Sequence, residues 1–370
     1  MKVKQILIIQ ESAKGGGAEK VLTDLLQHFD RSRYNVTLLL INAYGPHLSE
    51  IPAGIKLLCI NKQAPGLFVR CLNRFIFLRD ALFRHRIKQA VKNKRYDAII
   101  SFMEGPAAKA HSFIMDHAVK NISWVHTNLM TNHWSAFIYR NLDEEKAVYN
   151  RMDNIVFVSY GAKDAFAKLF GITETLKVIY NIIDYQMINE KAAESVPQKT
   201  KFTICNVGRL IEQKRQDRLV EIAKILKDRG FEFEVWILGE GRLASKLKEL
   251  ANDLGVNDVV KFLGYQANPY PYIKNSDVFV LTSDVEGYPT VVCEALCLGR
   301  PVISTNITGS DELLANGVGI LTGFESQDIA DSVSLLIQSK DSWAHYAHLS
   351  ALRGQQFQPH DIMAQIYSLL

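Results

Sequence analysis

Two glutamates eight residues apart, Glu286 and Glu294, are the side chains of this 370-residue sequence best suited to ligand chemistry. They flank Gly287 and Pro289, which fix a loop, and they follow the apolar run 278–281, which is typical of a buried strand. A carboxylate accepts two or more hydrogen bonds, and sugar and ribose diols can donate them. Taken singly, Glu286 also fits an ordinary loop acid, and Glu294 fits an acid favoured near a helix N-terminus by the helix dipole.

Two cations, Arg209 and Lys214, supply a complementary chemistry. They follow the apolar run 202–207 and the turn residue Gly208. An arginine binds two phosphate oxygens with its planar fork, and a lysine adds a compact point charge. The pair therefore suits a diphosphate, although two solvated surface cations would give the same sequence.

Two glycine-rich stretches also follow apolar runs: Gly15-Gly16-Gly17 after residues 6–9, and Gly239-Glu240-Gly241 after residues 235–238. Glycine allows backbone N–H groups to approach a ligand closely, and a helix N-terminus behind the first stretch favours an anion or a polar oxygen. The first stretch has neither the dinucleotide-binding fingerprint nor a P-loop. Each stretch also fits a plain tight turn.

Short apolar runs that alternate with amphipathic segments must position these residues. The strand-like runs are 6–9, 36–41, 98–101, 122–125, 155–158, 202–207, 234–238, 259–262, 278–281 and 301–304. The helix-like segments between them include 18–29, 164–170, 215–227 and 243–254. Fully apolar strands that alternate with helices predict parallel sheets covered on both faces.

The length and this alternation predict two doubly wound α/β domains. We expect an N-terminal domain at 1–183, a polar linker at 184–200 and a C-terminal domain at 201–356. A last helix, 357–370, is expected to return to the N-terminal domain. Ligands of such sheets bind beyond the carboxyl ends of the strands, and a site between two domains is the default.

In this order, the motifs resemble glycosyltransferase family 4, and in particular transferases of bacterial surface polysaccharides. The resemblance is densest from 207 to 322. It is carried by the first glycine stretch with Ala18-Glu19, Gly208-Arg209 with Lys214, Gly239-Glu240-Gly241, Glu286 with Glu294, and the segment 295–304. It implies the GT-B fold, in which two Rossmann-like domains face a cleft, with 1–183 as the acceptor-side domain and 201–356 as the nucleotide-sugar-binding domain.

The resemblance also implies roles for single residues. Arg209 and Lys214 would hold the donor diphosphate, Glu294 the ribose hydroxyls and Glu286 the transferred sugar. His126, at the end of an apolar run, would face that sugar, although a structurally satisfied histidine also fits. The other implied donor-binding residues are Gly16, Gly17, Gly239, Gly241, Tyr265, Gly287, Tyr288, Pro289, Thr290 and Val291. The implied catalytic set is His126, Glu286, Arg209 and Lys214.

The activity implied by the resemblance is retaining transfer of a hexose or N-acetylhexosamine from a nucleotide-diphosphate sugar, with a UDP-sugar favoured. The acceptor would be a saccharide or a lipid-linked saccharide in bacterial surface glycan synthesis. Members are thought to react by front-side displacement without a protein general base. We expect no cofactor and no metal, since the sequence has no Asp-x-Asp motif. A nucleotide-sugar epimerase, or a non-catalytic protein that binds sugar nucleotides, remains an alternative.

Basic charge is concentrated between residues 62 and 95, which contain ten Lys or Arg and one acid, Asp80. Apolar residues recur there at helical spacing, so residues 66–95 predict an amphipathic helix with a basic face. This face fits an anionic membrane surface, and equally a solvated helix surface. No nucleic-acid-binding motif accompanies it. Five scattered cysteines without a Cys-x-x-Cys pair, and no apolar run of about 18 residues, favour a cytoplasmic protein, and contact with the inner face of the membrane would depend on the basic face.

Overall fold

The computed structural model describes residues 2–62, 76–195 and 199–370. The chain divides into two compact units. The N-terminal unit comprises Met1–Ile182 together with Pro359–Leu370, and the C-terminal unit comprises Ile183–Gln358.

The N-terminal unit is built on a seven-stranded sheet with the order β3-β2-β1-β4-β5-β6-β7, in which all neighbours pair in parallel. Its strands are β1 (Lys4–Gln10), β2 (Tyr34–Asn42), β3 (Lys56–Asn61), β4 (Tyr96–Ser101), β5 (Ala118–Val125), β6 (Asn154–Phe157) and β7 (Leu176–Val178). The chain order reverses between β1 and β4. Such a reversal opens a crevice at the carboxyl ends of the two strands.

Helices connect these strands: α1 (Gly17–Gln27), α2 (Ile76–Val91), α3 (Pro106–Ser112), α4 (Leu142–Tyr149) and α5 (Tyr160–Phe170). Short 3₁₀ turns form at Pro46–Glu50, Met115–His117 and Trp134–Ile138. Apolar side chains of α2 and α3 pack on β1, β2 and β4, and those of α4 and α5 pack on β5 and β6. The sheet is therefore buried as its apolar strands predict.

The C-terminal unit has a six-stranded parallel sheet with the order β10-β9-β8-β11-β12-β13. Its strands are β8 (Phe202–Val207), β9 (Phe233–Leu238), β10 (Val260–Gly264), β11 (Val278–Leu281), β12 (Val302–Thr305) and β13 (Ile320–Thr322). Its helices are α6 (Tyr185–Lys191), α7 (Gln216–Asp228), α8 (Ala244–Asp253), α9 (Tyr270–Asn275), α10 (Thr290–Cys297), α11 (Ser310–Leu313), α12 (Ser326–Gln338) and α13 (Lys340–Gly354). Here the chain order reverses between β8 and β11.

Part of the stretch predicted as a linker, 184–200, is a helix. The Asp184 carboxylate caps α6 by accepting the Met187 N–H at 2.9 Å, and Ile188 is buried. Asn189 donates to the Cys297 carbonyl at 3.2 Å, which ties α6 to the C-terminal unit. The sequence did not predict this helix because the helix is polar and buries few side chains, so it shows no apolar period.

The last helix, α14 (Pro359–Leu369), belongs to the N-terminal unit. The Tyr367 ring stacks on the Tyr34 ring with centroids 4.8 Å apart, and its hydroxyl accepts from the Asp30 N–H at 2.7 Å. Lys4 Nζ donates to the Leu370 carbonyl at 2.8 Å. Residues 359–370 therefore complete a core that begins at the first strand.

The predicted class, two doubly wound α/β domains, is confirmed by these sheets. All ten predicted strands are present, whereas β3, β7 and β13 were not predicted. β3 begins with exposed residues and is only half-buried beyond them, so it lacks a continuous apolar run. β7 and β13 have three residues each, too few to show a period.

Within the described ranges, the structure contains no helix that is both long enough and apolar enough to cross a bilayer.

Candidate functional site

The loops with the strongest sequence signals meet at the reversal point of the C-terminal sheet. β8 pairs directly with β11, and the chain order reverses between them. The loop after β8 carries Arg209 and Lys214, and the loop after β11 carries Glu286. Carboxyl ends of neighbouring strands at such a point form the usual ligand crevice of an open α/β sheet.

An ion pair joins the two loops: Lys214 Nζ donates to Glu286 Oε1. Ser283 Oγ donates to the same oxygen at 2.8 Å. The side chains of Lys214 and Glu286 are 18% and 12% exposed, so water screens their attraction less than at an open surface. The other oxygen, Glu286 Oε2, accepts no hydrogen bond from the described residues, which leaves its lone pairs for a ligand.

Further hydrogen bonds hold the two loops as one piece. The Asp284 N–H donates to the Gln213 carbonyl at 2.9 Å, and Thr282 Oγ1 donates to the Lys214 carbonyl at 2.9 Å. Arg218, largely buried on α7, donates to the Asp284 carboxylate at 2.7 Å. The position of Glu286 is therefore fixed by backbone contacts as well as by its own ion pair.

Arg209 differs from Lys214 in its surroundings. Its side chain is exposed and forms no ion pair or hydrogen bond with the part of the chain that the structure describes. Its carbonyl accepts from Gln216 Nε2 at 3.1 Å, which fixes the backbone of the loop. The guanidinium is thus an exposed cation on a fixed loop, an arrangement that suits an anionic ligand.

Backbone packing accounts for Gly239 and Gly241. Gly239 has a φ of +133°, and a Cβ placed there would lie 2.0 Å from the Gly208 carbonyl oxygen. A Cβ at Gly241 would lie 2.2 Å from the Leu210 carbonyl oxygen. The Leu210 N–H donates to the Glu240 carbonyl at 2.9 Å, so the two loops lie side by side. These contacts require the two glycines whether or not a ligand binds.

The loop after Glu286 leads into α10, which begins at Thr290 after Pro289. Glu294 lies in this helix and is 2% exposed, so its carboxylate is almost fully buried. Among the remaining predicted residues, Gly287 and Tyr288 are buried, and Val291 is half-buried.

Tyr265 lies just beyond β10, and 55% of it is exposed. The structure therefore places Tyr265 at the same carboxyl edge of the sheet as Glu286, but Tyr265 follows β10 whereas Glu286 follows β11.

Gly309 supports this loop and was missed by the sequence analysis. Its φ is +82°, and a Cβ there would lie 2.5 Å from the Gly287 carbonyl oxygen. Thr305 Oγ1 donates to the Ser283 carbonyl at 2.6 Å from the same side. The only sequence signal was a glycine shortly after a predicted strand, which does not reveal its partner.

In the N-terminal unit, Gly16 and Gly17 lie at the start of α1. Gly16 is the N-cap residue, and the Glu19 carboxylate turns back toward it: a Cβ at Gly16 would lie 2.4 Å from Glu19 Oε2. The Glu19 carboxylate also raises the pKa of nearby Glu11, after burial, which is the larger cause. The helix N-terminus thus already faces a carboxylate of its own chain.

His126 follows β5, and its Nε2 atom is buried without a hydrogen-bond partner among the described residues. The ring hydrogen bonds to the Phe102 backbone, and burial lowers the pKa of His126 to about 3. The imidazole is therefore neutral near pH 7. Because the bond to Phe102 occupies the other nitrogen as donor, Nε2 presents a lone pair.

The basic helix α2 has a buried face and an exposed one. Ile87 and Val91 are fully buried on the core, which is the packing expected of any helix in this unit. The single acid of the segment, Asp80, accepts from Lys109 Nζ at 2.7 Å. Arg84, Arg86, Lys88, Lys92, Lys94 and Arg95 are exposed. Residues 63–75, which contain the start of the predicted helix, lie outside the described residues.

The close backbone contact at Gly239 predicts that Gly239→Ala is strongly destabilising. A methyl group there meets the Gly208 carbonyl and an unfavourable φ, so we expect a loss of about 2 kcal/mol or more in the free energy of unfolding. Urea denaturation measures it. Gly208→Ala is the matched control, because its nearest neighbour would be Gln216 Nε2 at 3.6 Å. Equal stability of the two variants would contradict this explanation.

The buried neutral ring of His126 predicts a pH-dependent stability. The unfolded chain, with a pKa of 6.5, binds a proton that the folded chain refuses down to about pH 3. Stability therefore falls as pH drops through this window, by about 2 kcal/mol between pH 7 and pH 5. Between pH 7 and pH 5, we expect the free energy of unfolding of His126→Asn to fall by about 2 kcal/mol less than that of wild type, as measured by urea denaturation at the two pH values. Parallel losses would show that the ring is not held neutral.

Comparison with known protein families gives two matches, in tandem. The family "Glycosyltransferase Family 4" matches residues 15–186, and "Glycosyl transferases group 1" matches residues 187–350. The boundary between the two lies close to the boundary between the two structural units.

Individual relatives are also named as glycosyltransferases. An uncharacterised glycosyltransferase of Methanocaldococcus jannaschii is 31% identical over 217 residues, 56% of this chain and 53% of that protein, so the match spans about half of its length. The Campylobacter jejuni N-acetylgalactosamine-N,N'-diacetylbacillosaminyl-diphospho-undecaprenol 4-alpha-N-acetylgalactosaminyltransferase is 27% identical over 326 residues, 86% of this chain and 85% of that protein.

Among solved structures, Anabaena HepE in complex with UDP and glucose superposes with a TM-score of 0.80 at 23% identity, over 99% of this chain and 98% of that one. This similarity shows a shared fold. Because the two family matches together cover residues 15–350, the chain belongs to glycosyltransferase family 4 and is a glycosyltransferase of the GT-B fold.

Proposed function

We propose that this glycosyltransferase moves a hexose or N-acetylhexosamine from a UDP-sugar to a saccharide or lipid-linked saccharide, with retention of anomeric configuration. Its place would be the cytoplasmic face of the membrane, in bacterial surface glycan synthesis. The donor would bind the C-terminal unit at the reversal point between β8 and β11.

The observation that carries this proposal is the state of the Glu286 carboxylate. One oxygen is held by Lys214 and Ser283, and the other accepts nothing from the described residues. A carboxylate that is fixed through one oxygen can accept hydroxyl hydrogen bonds with the other at little entropic cost. This is the recognition that a sugar requires, and Glu294 on the following helix would serve the ribose.

Two cations support a diphosphate leaving group at the same place. Arg209 is exposed on a fixed loop, and Lys214 lies beside Glu286. Charge that develops on a departing diphosphate is stabilised by preorganised cations. We therefore propose that Arg209 and Lys214 neutralise it without a metal ion.

Front-side displacement would assign the acceptor proton to a phosphate oxygen of the donor. The neutral ring of His126 fits this chemistry because its unpartnered Nε2 offers a lone pair to a sugar hydroxyl, not a titrating base. We propose that His126 orients the transferred sugar. The rate would then come from positioning and from charge stabilisation.

The choice of donor and acceptor rests on the relatives. The solved HepE structure contains UDP and glucose, and the Campylobacter relative is named as an N-acetylgalactosaminyltransferase acting on a diphospho-undecaprenol substrate. These names favour a uridine nucleotide and a polyprenyl-diphosphate-linked saccharide for this chain.

We expect UDP-sugars to raise the melting temperature more than GDP- or ADP-sugars, since a ligand at 100 times its Kd adds about 2.7 kcal/mol. Glu286→Gln should reduce this stabilisation more for the UDP-sugar than for UDP, because the carboxylate serves the sugar. Transfer, measured as kcat/KM, should fall about ten- to a hundredfold, the value of one or two charge-assisted hydrogen bonds.

The matched control is Asp258→Asn, which removes a surface carboxylate paired with Lys227 at 2.8 Å at the amino end of β10. It should behave as wild type. Full transfer activity in Glu286→Gln would refute the assignment of the sugar site. Turnover of the donor's sugar without any acceptor would indicate an epimerase instead.

The exposed face of α2 supports contact with an anionic membrane. Asp80 is the one acid among ten Lys or Arg between residues 62 and 95, and its carboxylate accepts from Lys109 Nζ. The Lys56 side chain lies close to that of Lys94 and lowers the pKa of Lys94. An array of this kind attracts anionic headgroups, at about 1 kcal/mol per basic residue near the surface.

Co-sedimentation with vesicles tests this contact. We expect binding to phosphatidylcholine vesicles that contain phosphatidylglycerol, and none to phosphatidylcholine alone. Lys88→Glu with Lys92→Glu should weaken binding by roughly thirtyfold or more, since two attractions of about 1 kcal/mol are lost. Lys248→Glu with Lys274→Glu changes the net charge equally on the other unit and should leave binding intact. Equal effects of the two pairs would refute a specific basic face.

A further inference from the structure

A buried carboxylate in the N-terminal unit has no role in the site described so far. Glu104 follows β4, which pairs with β1 at the reversal point of this sheet and with β5 on its other side. It is 1% exposed. Its neighbours at the carboxyl edge are therefore the glycine loop after β1 and His126 after β5.

Both oxygens of Glu104 accept hydrogen bonds from a single segment, the one that follows β5. Oε2 accepts the backbone N–H of His126 at 2.9 Å, and Oε1 accepts the indole Nε1–H of Trp134 at 2.7 Å. One carboxylate thus positions both the backbone of His126, which follows β5, and the indole ring of Trp134, eight residues further along the chain.

The surroundings of Trp134 are built to keep the ring there. A Cβ at Gly105 would lie 2.9 Å from Trp134 Cη2, so the glycine makes room for the indole beside Glu104. A second buried carboxylate, Glu145, accepts from His133 at 2.7 Å and from Ser135 at 2.6 Å. The residues on both sides of Trp134 are therefore held as firmly as the ring itself.

Packing alone does not explain a carboxylate at this position. Burial raises the pKa of Glu104, which shows that the site opposes its charge, and an apolar side chain of similar volume would avoid that cost. Both partners are donors, so they fit an acceptor on each side, which the ionised carboxylate supplies. Its benefit is geometric: it specifies where the two donors lie.

We propose that Glu104 is a positioning residue for glycosyl transfer, which holds the His126 backbone and the Trp134 indole so that His126 Nε2 stays aimed at a hydroxyl of the transferred sugar. This inference rests on the proposed function. A displacement of about 1 Å in such a group can reduce a rate about a hundredfold.

The decisive variant is Glu104→Gln. Glutamine offers one acceptor oxygen, so its NH₂ group must face either the His126 N–H or the Trp134 indole N–H. We expect kcat to fall about ten- to a hundredfold while the KM for the donor changes less than about twofold, because Arg209, Lys214 and Glu286, which are proposed to bind the donor, are left unchanged.

A second substitution provides the rescue. Trp134→Phe removes the indole N–H, so that in Glu104→Gln/Trp134→Phe the amide oxygen can serve His126 while the NH₂ group meets no donor. We expect the kcat of the double variant to be at least fivefold higher than that of Glu104→Gln. Trp134→Phe alone should retain a kcat within about threefold of wild type. Losses of kcat that merely add in the double variant would overturn the proposal, because the restored hydrogen bond to His126 would then not affect the rate.

NMR supplies a readout that needs no activity. The backbone N–H of His126 should shift upfield in Glu104→Gln, as its hydrogen bond weakens, and return in the double variant. If wild type transfers no sugar, the proposed function fails and this shift alone decides the positioning role. An unchanged His126 N–H, or an active wild type with full kcat in Glu104→Gln, would refute the inference.

Discussion

A single oxygen atom, Glu286 Oε1, connects the two strands at which the C-terminal sheet reverses its order. Lys214 from the loop after β8 and Ser283 from the loop after β11 both donate to it. Because the pair is largely shielded from water, it fixes the separation of the two loops. The free oxygen of the same carboxylate, the exposed Arg209 and the start of α10 then acquire defined positions around one crevice.

Much of this arrangement was accessible from the sequence. The runs 202–207 and 278–281 are fully apolar, so they predict buried parallel strands, and everything that follows such strands gathers at one edge. Spacing therefore placed Arg209, Lys214 and Glu286 at that edge. The chemistry proposed for them rests on residue type, since phosphate and diol recognition depend on residue type more than on fold.

The rest depends on contacts between residues far apart in the chain, for which spacing holds no information. Gly239 looked like a ligand-binding glycine, but its proximity to the Gly208 carbonyl is enough to require it. Gly309 and Glu104 carry no local pattern, because their partners lie 22 and more residues away along the chain. Helix α6 was not predicted for a different reason: it buries one residue, Ile188, and a single buried residue gives no helical period.

Helix α14 imposes an order on biosynthesis. The last strand of the N-terminal sheet is β7. However, the Tyr34 ring on β2 stacks on Tyr367, and Lys4 donates to the Leu370 carbonyl, so both contacts need α14. The whole C-terminal unit is translated between these two points. While the C-terminal unit is being translated, the nascent N-terminal unit therefore leaves the Tyr34 ring uncovered until residues 359–370 have been synthesised and have left the ribosome, and transiently exposed apolar surface of this kind favours aggregation.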